Sequence, residues 1–156
     1  NQFRSRSVNK SYLAVLLGNP SEDSFECDLP IAEHPTKQEM SIIVRPEELI
    51  DDARYRHQFN RANEETPLPR LDASAKPARA AFTRFDVLAR GTHAAACHVR
   101  PLTGRTHQIR VHAEELGHPL AGDTQYGTAR QIEAPNCSRM LLHALSLCVL
   151  HPTLGE

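Results

Sequence analysis

Several kinds of motif are missing from this sequence, and each absence excludes a class of protein. Its four cysteines, Cys27, Cys97, Cys137 and Cys148, stand far apart without a C-x-x-C pair. This spacing argues against a disulfide framework or a zinc site, and it favours reduced thiols in an intracellular protein. No apolar run has the length of a membrane span, and no signal-peptide pattern begins at Asn1. The sequence therefore indicates neither secretion nor membrane insertion, and it leaves the intracellular compartment open.

The motifs of several enzyme classes are absent as well. The chain has no glycine-rich phosphate loop and no G-x-S-x-G sequence, which argues against a nucleotide-binding loop and a serine hydrolase. It has nine histidines, but His107 and His112 are five positions apart and miss the i, i+4 spacing of a helical zinc pair. His143 and His151 lie far from them in the sequence. We therefore expect no metal site.

The charge balance gives no global reason to expect nucleic-acid binding. The chain has 18 Lys and Arg residues against 19 Asp and Glu residues, for a formal net charge of -1. Most of the basic residues are arginine, whose guanidinium makes bidentate contacts with phosphates and carboxylates. A surface for nucleic acid must therefore be local.

The pattern of strands and turns predicts one domain of the α+β class. The length of 156 residues suits one hydrophobic core, and the strand-like runs favour a mixed, mainly antiparallel sheet with flanking helices. Residues 46–77 lack apolar periodicity, so we expect an irregular and partly disordered insertion, with a helix over 47–59. The run 139–150 fits either a strand or a helix. The predicted strands are residues 11–17, 24–31, 41–45, 82–90, 93–100 and 139–150, of which 82–90 and 93–100 form a hairpin.

The stretch from Arg100 to Gly127 predicts a turn, a short amphipathic helix and a second turn. We expect the helix over residues 107–116, with Thr106 as its N-cap. Gly117 suits the left-handed conformation that ends many helices. The apolar side chains at i, i+4 and i+7 predict one buried stripe. They are Ile109, Ala113 and Leu116.

Five hydrogen-bonding side chains crowd the start of this predicted helix, next to backbone N–H groups that favour anions. The plain alternative is a pair of surface arginines, with Arg110 bonded to Glu114 at i+4. That alternative does not explain why the donors cluster at one helix terminus. The five side chains are Arg105, His107, Gln108, Arg110 and His112.

The same stretch resembles the signature of the RluA-type RNA pseudouridine synthases. Residues 101–112 resemble the family pattern P-x-T-G-R-T-H-Q-I-R-x-H. Residues 117–127 resemble G-H-P-I-x-G-D-x-x-Y-G, with Leu120 in place of the usual Ile. The resemblance covers nearly the whole chain apart from about residues 46–77, and it implies part of the family's catalytic fold. Four further segments resemble the family in the same order, namely residues 8–14, 28–31, 81–88 and 139–152.

This resemblance implies isomerisation of uridine to pseudouridine in RNA, without a metal or an organic cofactor. A catalytic Asp carboxylate attacks the nucleoside, the glycosidic bond breaks, and the uracil rotates and rejoins through C5. The resemblance assigns Arg110 to pairing with that Asp and Tyr12 to stacking on the extruded base and assisting proton transfer. It assigns Ile109 and Leu142 to the uracil pocket, although Tyr12, Ile109 and Leu142 also suit ordinary core packing. Further RNA contacts are expected from Lys10, Arg100, Arg105, His107 and Gln108.

The family's nucleophile stands in H-R-L-D-x-x-T-S-G, before the strand with Tyr12, and the 156 residues do not contain this motif. Residues 70–72 read R-L-D but follow Tyr12 and lack the Thr-Ser-Gly, so we do not expect Asp72 to be the nucleophile. Asp86 falls in a predicted strand, and Asp123 in the G-D-x-x-Y-G turn. We therefore expect a partial catalytic domain, truncated at both ends and inactive alone.

Two hypotheses of different classes follow from these observations. In the first, the chain is part of an active RNA pseudouridine synthase, which we expect to be a monomer. In the second, it belongs to a synthase-like module that lost its nucleophile and acts by binding RNA. A nucleosidase that acts on free uridine is disfavoured. The sequence does not identify the RNA as ribosomal, transfer or messenger.

Overall fold

A computed structural model describes residues 8–37, 39–45, 78–127 and 137–149. The predicted insertion over 46–77, including the helix expected over 47–59 and Asp72, lies outside the described residues. The described part contains strands and one helix, in the order β1 (Asn9–Leu17), β2 (Ser24–Cys27), β3 (Ile31–Glu33), β4 (Ser41–Ile43), β5 (Thr83–Arg90), β6 (Ala94–Pro101), α1 (Gln108–Glu115) and β7 (Leu142–Cys148).

The main sheet has five antiparallel strands in the order β2-β5-β6-β1-β7. The strands β3 and β4 pair separately. The α+β class with a mainly antiparallel sheet is therefore confirmed, and so is the hairpin of β5 and β6. The last run, left open between helix and strand, forms β7 against β1. Strand β1 lies between β6 and β7, so Tyr12 lies opposite Val99 on one side and Ala144 on the other.

One strand prediction was wrong in its extent. Residues 24–31 were expected to form a single strand, but β2 ends at Cys27 and β3 begins at Ile31 in the other sheet. Pro30 carries no backbone N–H, so the segment cannot continue a regular ladder. Strand β2 instead docks on β5 through the stacked rings of Phe25 and Phe85, whose centroids are 5.1 Å apart.

The core lies between one face of the main sheet and α1. Phe85, Val99 and Leu120 are fully buried there, together with Ile109 and Ala113 from the helix. The predicted stripe is thus confirmed, with Leu116 packed at its edge. Burying a large apolar side chain contributes about 1.5–3 kcal/mol. This packing holds the first turn of α1 in a defined position over the sheet.

The prediction for α1 is confirmed at its C-terminal end and is wrong at its N-terminal end. The C-terminal prediction is confirmed, because Gly117 has φ 77 and its N–H bonds the carbonyl oxygen of Glu114 at 2.9 Å. The N-cap prediction was wrong, because His107 and not Thr106 occupies that position, with φ 53 and no side-chain cap. The Thr106 carbonyl instead accepts a 2.9 Å hydrogen bond from the hydroxyl of Ser41, which fixes the turn from outside the helix.

A turn after the helix brings Asp123 back towards α1. It passes through Gly122, whose φ is 75. A Cβ at this position would collide with the carbonyl group of Arg139. Glycine therefore allows the turn to pack directly on the segment that leads into β7.

No helix within the four described ranges is long and apolar enough to cross a membrane. All four cysteines fall within these ranges and are free thiols, with Cys27 and Cys97 buried and Cys148 exposed. Burial raises the pKa of the Cys27 and Cys97 thiols to about 11, so these two groups are protonated and unreactive at neutral pH.

Candidate functional site

A cavity of about 360 Å³ lies at the N-terminal end of α1. It draws side chains from β1, the turn after β6, the first turn of α1 and the start of β7, segments far apart in the sequence. All predicted site residues except Arg100 line it. These are Lys10, Tyr12, Arg105, His107, Gln108, Ile109, Arg110 and Leu142.

The fold explains why these residues converge. Lys10 and Tyr12 are two positions apart on β1, so both side chains reach the same face of the sheet. Leu142 lies opposite Ala14 on the neighbouring strand. Ile109 stands in the first turn of α1, which packs over this face. Tyr12 and Leu142 pack against the core and also line the cavity, so core packing does not exclude their predicted roles there.

Arg110 is anchored by a bidentate pair with Asp123. Its Nε and Nη2 atoms each donate to a carboxylate oxygen at 2.7 Å, and Nη2 also donates to Gln125 Oε1 at 2.7 Å. The guanidinium lies over the Tyr126 ring, 4.7 Å from its centroid. The alternative of a surface pair with Glu114 is not what the structure shows.

The Asp123 carboxylate has no exposed surface, while the Arg110 side chain retains 13% exposure. Burial alone would raise the pKa of Asp123. Hydrogen bonds from Arg110 and from the backbone N–H groups of Gln125 and Tyr126 outweigh this and lower the pKa below its usual value. The pair is therefore fully ionised at neutral pH, and it fixes the orientation of Arg110.

Arg110 does not use all of its hydrogen-bond donors within the described part of the chain. Within the described part of the chain, its hydrogen bonds leave from Nε and Nη2 only, so the two N–H groups of Nη1 have no partner there. The residue also borders the cavity. A guanidinium held on one edge by Asp123 could bind a second carboxylate through the other edge.

Gln108 is buried and uses its whole amide within the protein. Its Oε1 accepts from the hydroxyl of Thr103 at 2.7 Å and from the N–H of Arg105 at 3.0 Å. Its Nε2 donates to the carbonyl of Phe82 at 2.9 Å and to the hydroxyl of Thr83 at 3.0 Å. The side chain therefore ties the turn at the cavity to the start of β5. Its predicted contact with RNA stays a prediction.

The same network continues to His112, which is fully buried. Its Nε2 lies 3.0 Å from the carbonyl oxygen of Leu29, which can only accept, so Nε2 carries the proton. Its Nδ1 then accepts from Thr83 Oγ1 at 2.9 Å. Because Thr83 donates to His112, its oxygen is left to accept from Gln108. Each hydrogen bond in this series of side chains thus has a defined donor and acceptor.

Acid is expected to destabilise the protein partly through His112. Burial lowers its pKa to about 4, although the hydrogen bond to Leu29 and the charge of Asp28 oppose the shift. Between pH 7 and pH 5 the unfolded chain gains a proton on this residue that the folded chain does not, so the free energy of unfolding falls by about 2 kcal/mol. Urea denaturation of the protein and of His112→Gln at both pH values tests this. The difference in free energy of unfolding between the wild type and His112→Gln should be smaller at pH 5 than at pH 7 by about 2 kcal/mol. An equal difference at both pH values would contradict the prediction.

Arg100 lies on the other face of the sheet. Its neighbour Val99 is buried in the core, so successive side chains of β6 place Arg100 opposite the cavity. There it donates to Asp86 at 2.6 Å, and Asp86 also pairs with Arg84. Burial would raise the pKa of Asp86, but hydrogen bonds from Ser24, Arg100 and Arg84 lower it. Arg100 as an RNA contact stays a prediction, separate from the cavity.

The remaining two cations lie at the edge of the cavity. Arg105 donates from Nε to the carbonyl of Ala80 at 2.9 Å. Lys10 Nζ is 3.5 Å from the carbonyl of Thr103, close to Gly104. Both residues therefore bring positive charge to the cavity, and their contact with RNA stays a prediction.

Sequence reasoning missed several residues of this site. Thr103 and Met140 line the cavity, and Asp123 and Tyr126 hold Arg110. Thr103 and Asp123 stand in the quoted motifs, so their presence there was a signal, but their partners lie on other elements. Among the described residues, no group of three or more His, Cys, Asp or Glu side chains is placed to hold a metal. The expectations of no metal and no cofactor stay predictions.

Comparisons with known proteins agree on one family. The family model described as RNA pseudouridylate synthase matches residues 1–115. Ribosomal large subunit pseudouridine synthase C of Yersinia pestis is 41% identical over 158 residues, covering 99% of this chain and 40% of that protein. Ribosomal large subunit pseudouridine synthase D of Nitrosomonas europaea is 33% identical over 162 residues, covering 99% of this chain and 37% of that protein.

A solved structure agrees with the sequence relatives. Human RNA Pseudouridylate Synthase Domain Containing 1 superposes with a TM-score of 0.69 at 28% identity, covering 94% of this chain and 51% of that one. The chain thus spans about two fifths of the length of these curated relatives. Since the family model covers most of the sequence, and the relatives include RluA-type enzymes, this chain belongs to the RNA pseudouridylate synthase family.

Proposed function

We propose that the protein containing this chain isomerises uridine to pseudouridine in RNA, and that the cavity at the N-terminus of α1 receives the target base. The observation that carries this proposal is the convergence of Tyr12, Ile109, Arg110 and Leu142 on one cavity. The first and last of these are separated by most of the chain, and ordinary core packing does not require a cationic group between them.

The contacts of Arg110 support its proposed role. Asp123 fixes the guanidinium, Nη1 has no partner in the described ranges, and the residue lines the cavity. A nucleophilic Asp supplied by the rest of the protein would bind there and would be kept ionised by the guanidinium charge. Tyr12 would stack on the extruded base, and Ile109 and Leu142 would form the apolar walls that exclude water from the reacting carboxylate.

We also propose that the 156 residues alone are inactive. The reaction needs a carboxylate free to attack the nucleoside. Asp123 is buried and bound on both oxygens. Asp86 lies on the opposite face of the sheet, bound to Arg100 and Arg84. Neither carboxylate can serve as the nucleophile.

The substrate of the protein is proposed from chemistry and from relatives. Two of the similar proteins carry names that refer to the large ribosomal subunit, and a third is named a dual-specificity RNA pseudouridine synthase. RNA of the large ribosomal subunit is therefore the first substrate to test, followed by transfer RNA. An intracellular location and a monomeric state are part of the same proposal, and neither metal nor organic cofactor is required by it.

The test is release of tritium from C5-labelled uridine, measured with the whole protein. We expect release from RNA and not from free uridine, and no release by the 156 residues alone. Cleavage of free uridine to uracil and ribose, which releases no tritium, would instead indicate a nucleosidase. Tight RNA binding without any release would favour the second hypothesis, a module that binds RNA without modifying it.

A further inference from the structure

The two ring nitrogens of His107 have different surroundings. Nδ1 lies 3.1 Å from the hydroxyl oxygen of Tyr126, and the two rings meet edge to face. Nε2 has no hydrogen-bond partner in the described part of the chain, and the residue lines the cavity. The ring therefore has one nitrogen committed to the protein and one available to a ligand.

The hydroxyl of Tyr126 can supply the proton that His107 Nδ1 would accept. The backbone N–H of Ser41 donates to the Tyr126 hydroxyl oxygen at 2.8 Å. The phenol is thus an acceptor on that side, and its own proton can be donated to His107 Nδ1. A neutral imidazole that accepts at Nδ1 carries its hydrogen on Nε2. This tautomer puts the N–H group on the nitrogen that has no partner in the described part of the chain.

The backbone of His107 supports a functional reason for its position. Its φ of 53 lies in the left-handed region, which is strained for a residue with a side chain. The flanking structure holds the conformation, because the carbonyl of His107 accepts from Val111 N–H at 3.0 Å and Gln108 is locked in its own network. Such strain is concentrated at functional sites.

The charge state of the His107 ring restricts the kind of ligand atom that it can bind. Burial lowers the pKa of His107, and the Arg110 guanidinium lowers it further, while Asp123 and Glu39 act in the opposite direction. Burial raises the pKa of Tyr126, so the phenol keeps its proton. An uncharged N–H donor suits an uncharged oxygen, whereas phosphates in such sites pair with Arg or Lys.

We propose that His107 is a specificity-determining residue that donates its Nε2–H to a carbonyl oxygen of the target base. The proposal rests on the proposed function, because it takes the occupant of the cavity to be a pyrimidine of RNA. His107 would contribute to the choice of base, while Lys10 and Arg105 supply charge for the backbone.

The first arm of the test needs no RNA. Two-bond ¹H–¹⁵N correlations in the whole, ¹⁵N-histidine-labelled protein at pH 7 report the tautomer of His107. We expect hydrogen on Nε2 in the wild type and a loss of this preference in Tyr126→Phe. Hydrogen on Nδ1, or on both nitrogens, would overturn the proposal whether or not the protein is a synthase.

The second arm measures binding of a uridine-containing RNA as a function of salt. His107→Phe should weaken binding about 3- to 10-fold without changing the salt dependence, and His107→Gln, which restores a donor, should recover part of the loss. Lys10→Gln is the comparison, with a salt slope smaller by about 0.7–0.9 if it contacts one phosphate.

A smaller salt slope of RNA binding in His107→Phe, or an unchanged affinity for RNA, would overturn the assignment of His107 as a donor to the base. If the wild type binds RNA but releases no tritium, the proposed function fails while the donor role is still measurable. If turnover is normal and His107→Phe matches the wild type in affinity and base preference, only the donor role fails.

Discussion

Arg110→Ala is expected to lower the free energy of unfolding by about 3–5 kcal/mol and to abolish pseudouridine formation. The substitution leaves the Asp123 carboxylate buried without its cation, and breaking a buried pair from one side costs about this much. It also removes the guanidinium that would bind the nucleophilic Asp. Urea denaturation gives the first effect, and tritium release the second.

Arg45 provides a matched control for the stability effect. It also forms a bidentate pair, with Glu115 at 2.9 and 3.1 Å, but its side chain is 50% exposed. Arg45→Ala should therefore cost no more than about 1 kcal/mol. Similar small losses in both variants would show that the Arg110 pair is an ordinary surface contact, and the account of a fixed guanidinium would be wrong.

Gln108→Ala is expected to cost about 2–4 kcal/mol of stability and to raise the KM for RNA more than it lowers kcat. The change removes the acceptor of the Thr103 hydroxyl and of the Arg105 N–H, and each buried donor that loses its acceptor costs about 1–3 kcal/mol before relaxation. Thr83 and the Phe82 carbonyl keep their other hydrogen bonds. The turn with Thr103 and Arg105 would lose its anchor to β5. Because both ends of the amide are bonded within the protein, the effect on activity should act through the position of this turn.

Gln125 is the matched control for this prediction. It is an exposed glutamine that also accepts a hydrogen bond, from Arg110 at 2.7 Å. Gln125→Ala should change the free energy of unfolding by less than about 1 kcal/mol, since water replaces its amide. A Gln108→Ala protein with wild-type stability and a large fall in kcat alone would instead indicate direct contact with the substrate.

Much of the site was predictable because its residues stand in patterned segments. The apolar stripe of α1 predicted which face of the helix is buried, and resemblance placed Tyr12 and Leu142 with Ile109 and Arg110. The cavity brings these four together. Sequence spacing alone does not reveal that β1 and β7 are neighbours, since more than a hundred residues separate them.

The rest depended on long-range partners. The carboxylate that holds Arg110 is Asp123, thirteen positions away, and only the left-handed turn at Gly122 brings it back. His107 and not Thr106 is the N-cap of α1, since the Thr106 carbonyl accepts a hydrogen bond from the Ser41 hydroxyl. Arg100 was grouped with the other cations, but the alternation of β6 directs it to the opposite face. Such contacts are decided by tertiary packing, which local propensity does not encode.

Tritium release by the whole protein and its Tyr12→Phe and Leu142→Lys variants tests the central claim, that the cavity at α1 is the uridine pocket. Leu88→Gln is the control, because Leu88 is 60% exposed near the far end of β5 and lies outside the cavity. We expect release by the wild type and by Leu88→Gln, and a loss of at least about tenfold in each cavity variant, equivalent to about 1.4 kcal/mol in the barrier. Folded cavity variants that release tritium at the wild-type rate would contradict the account.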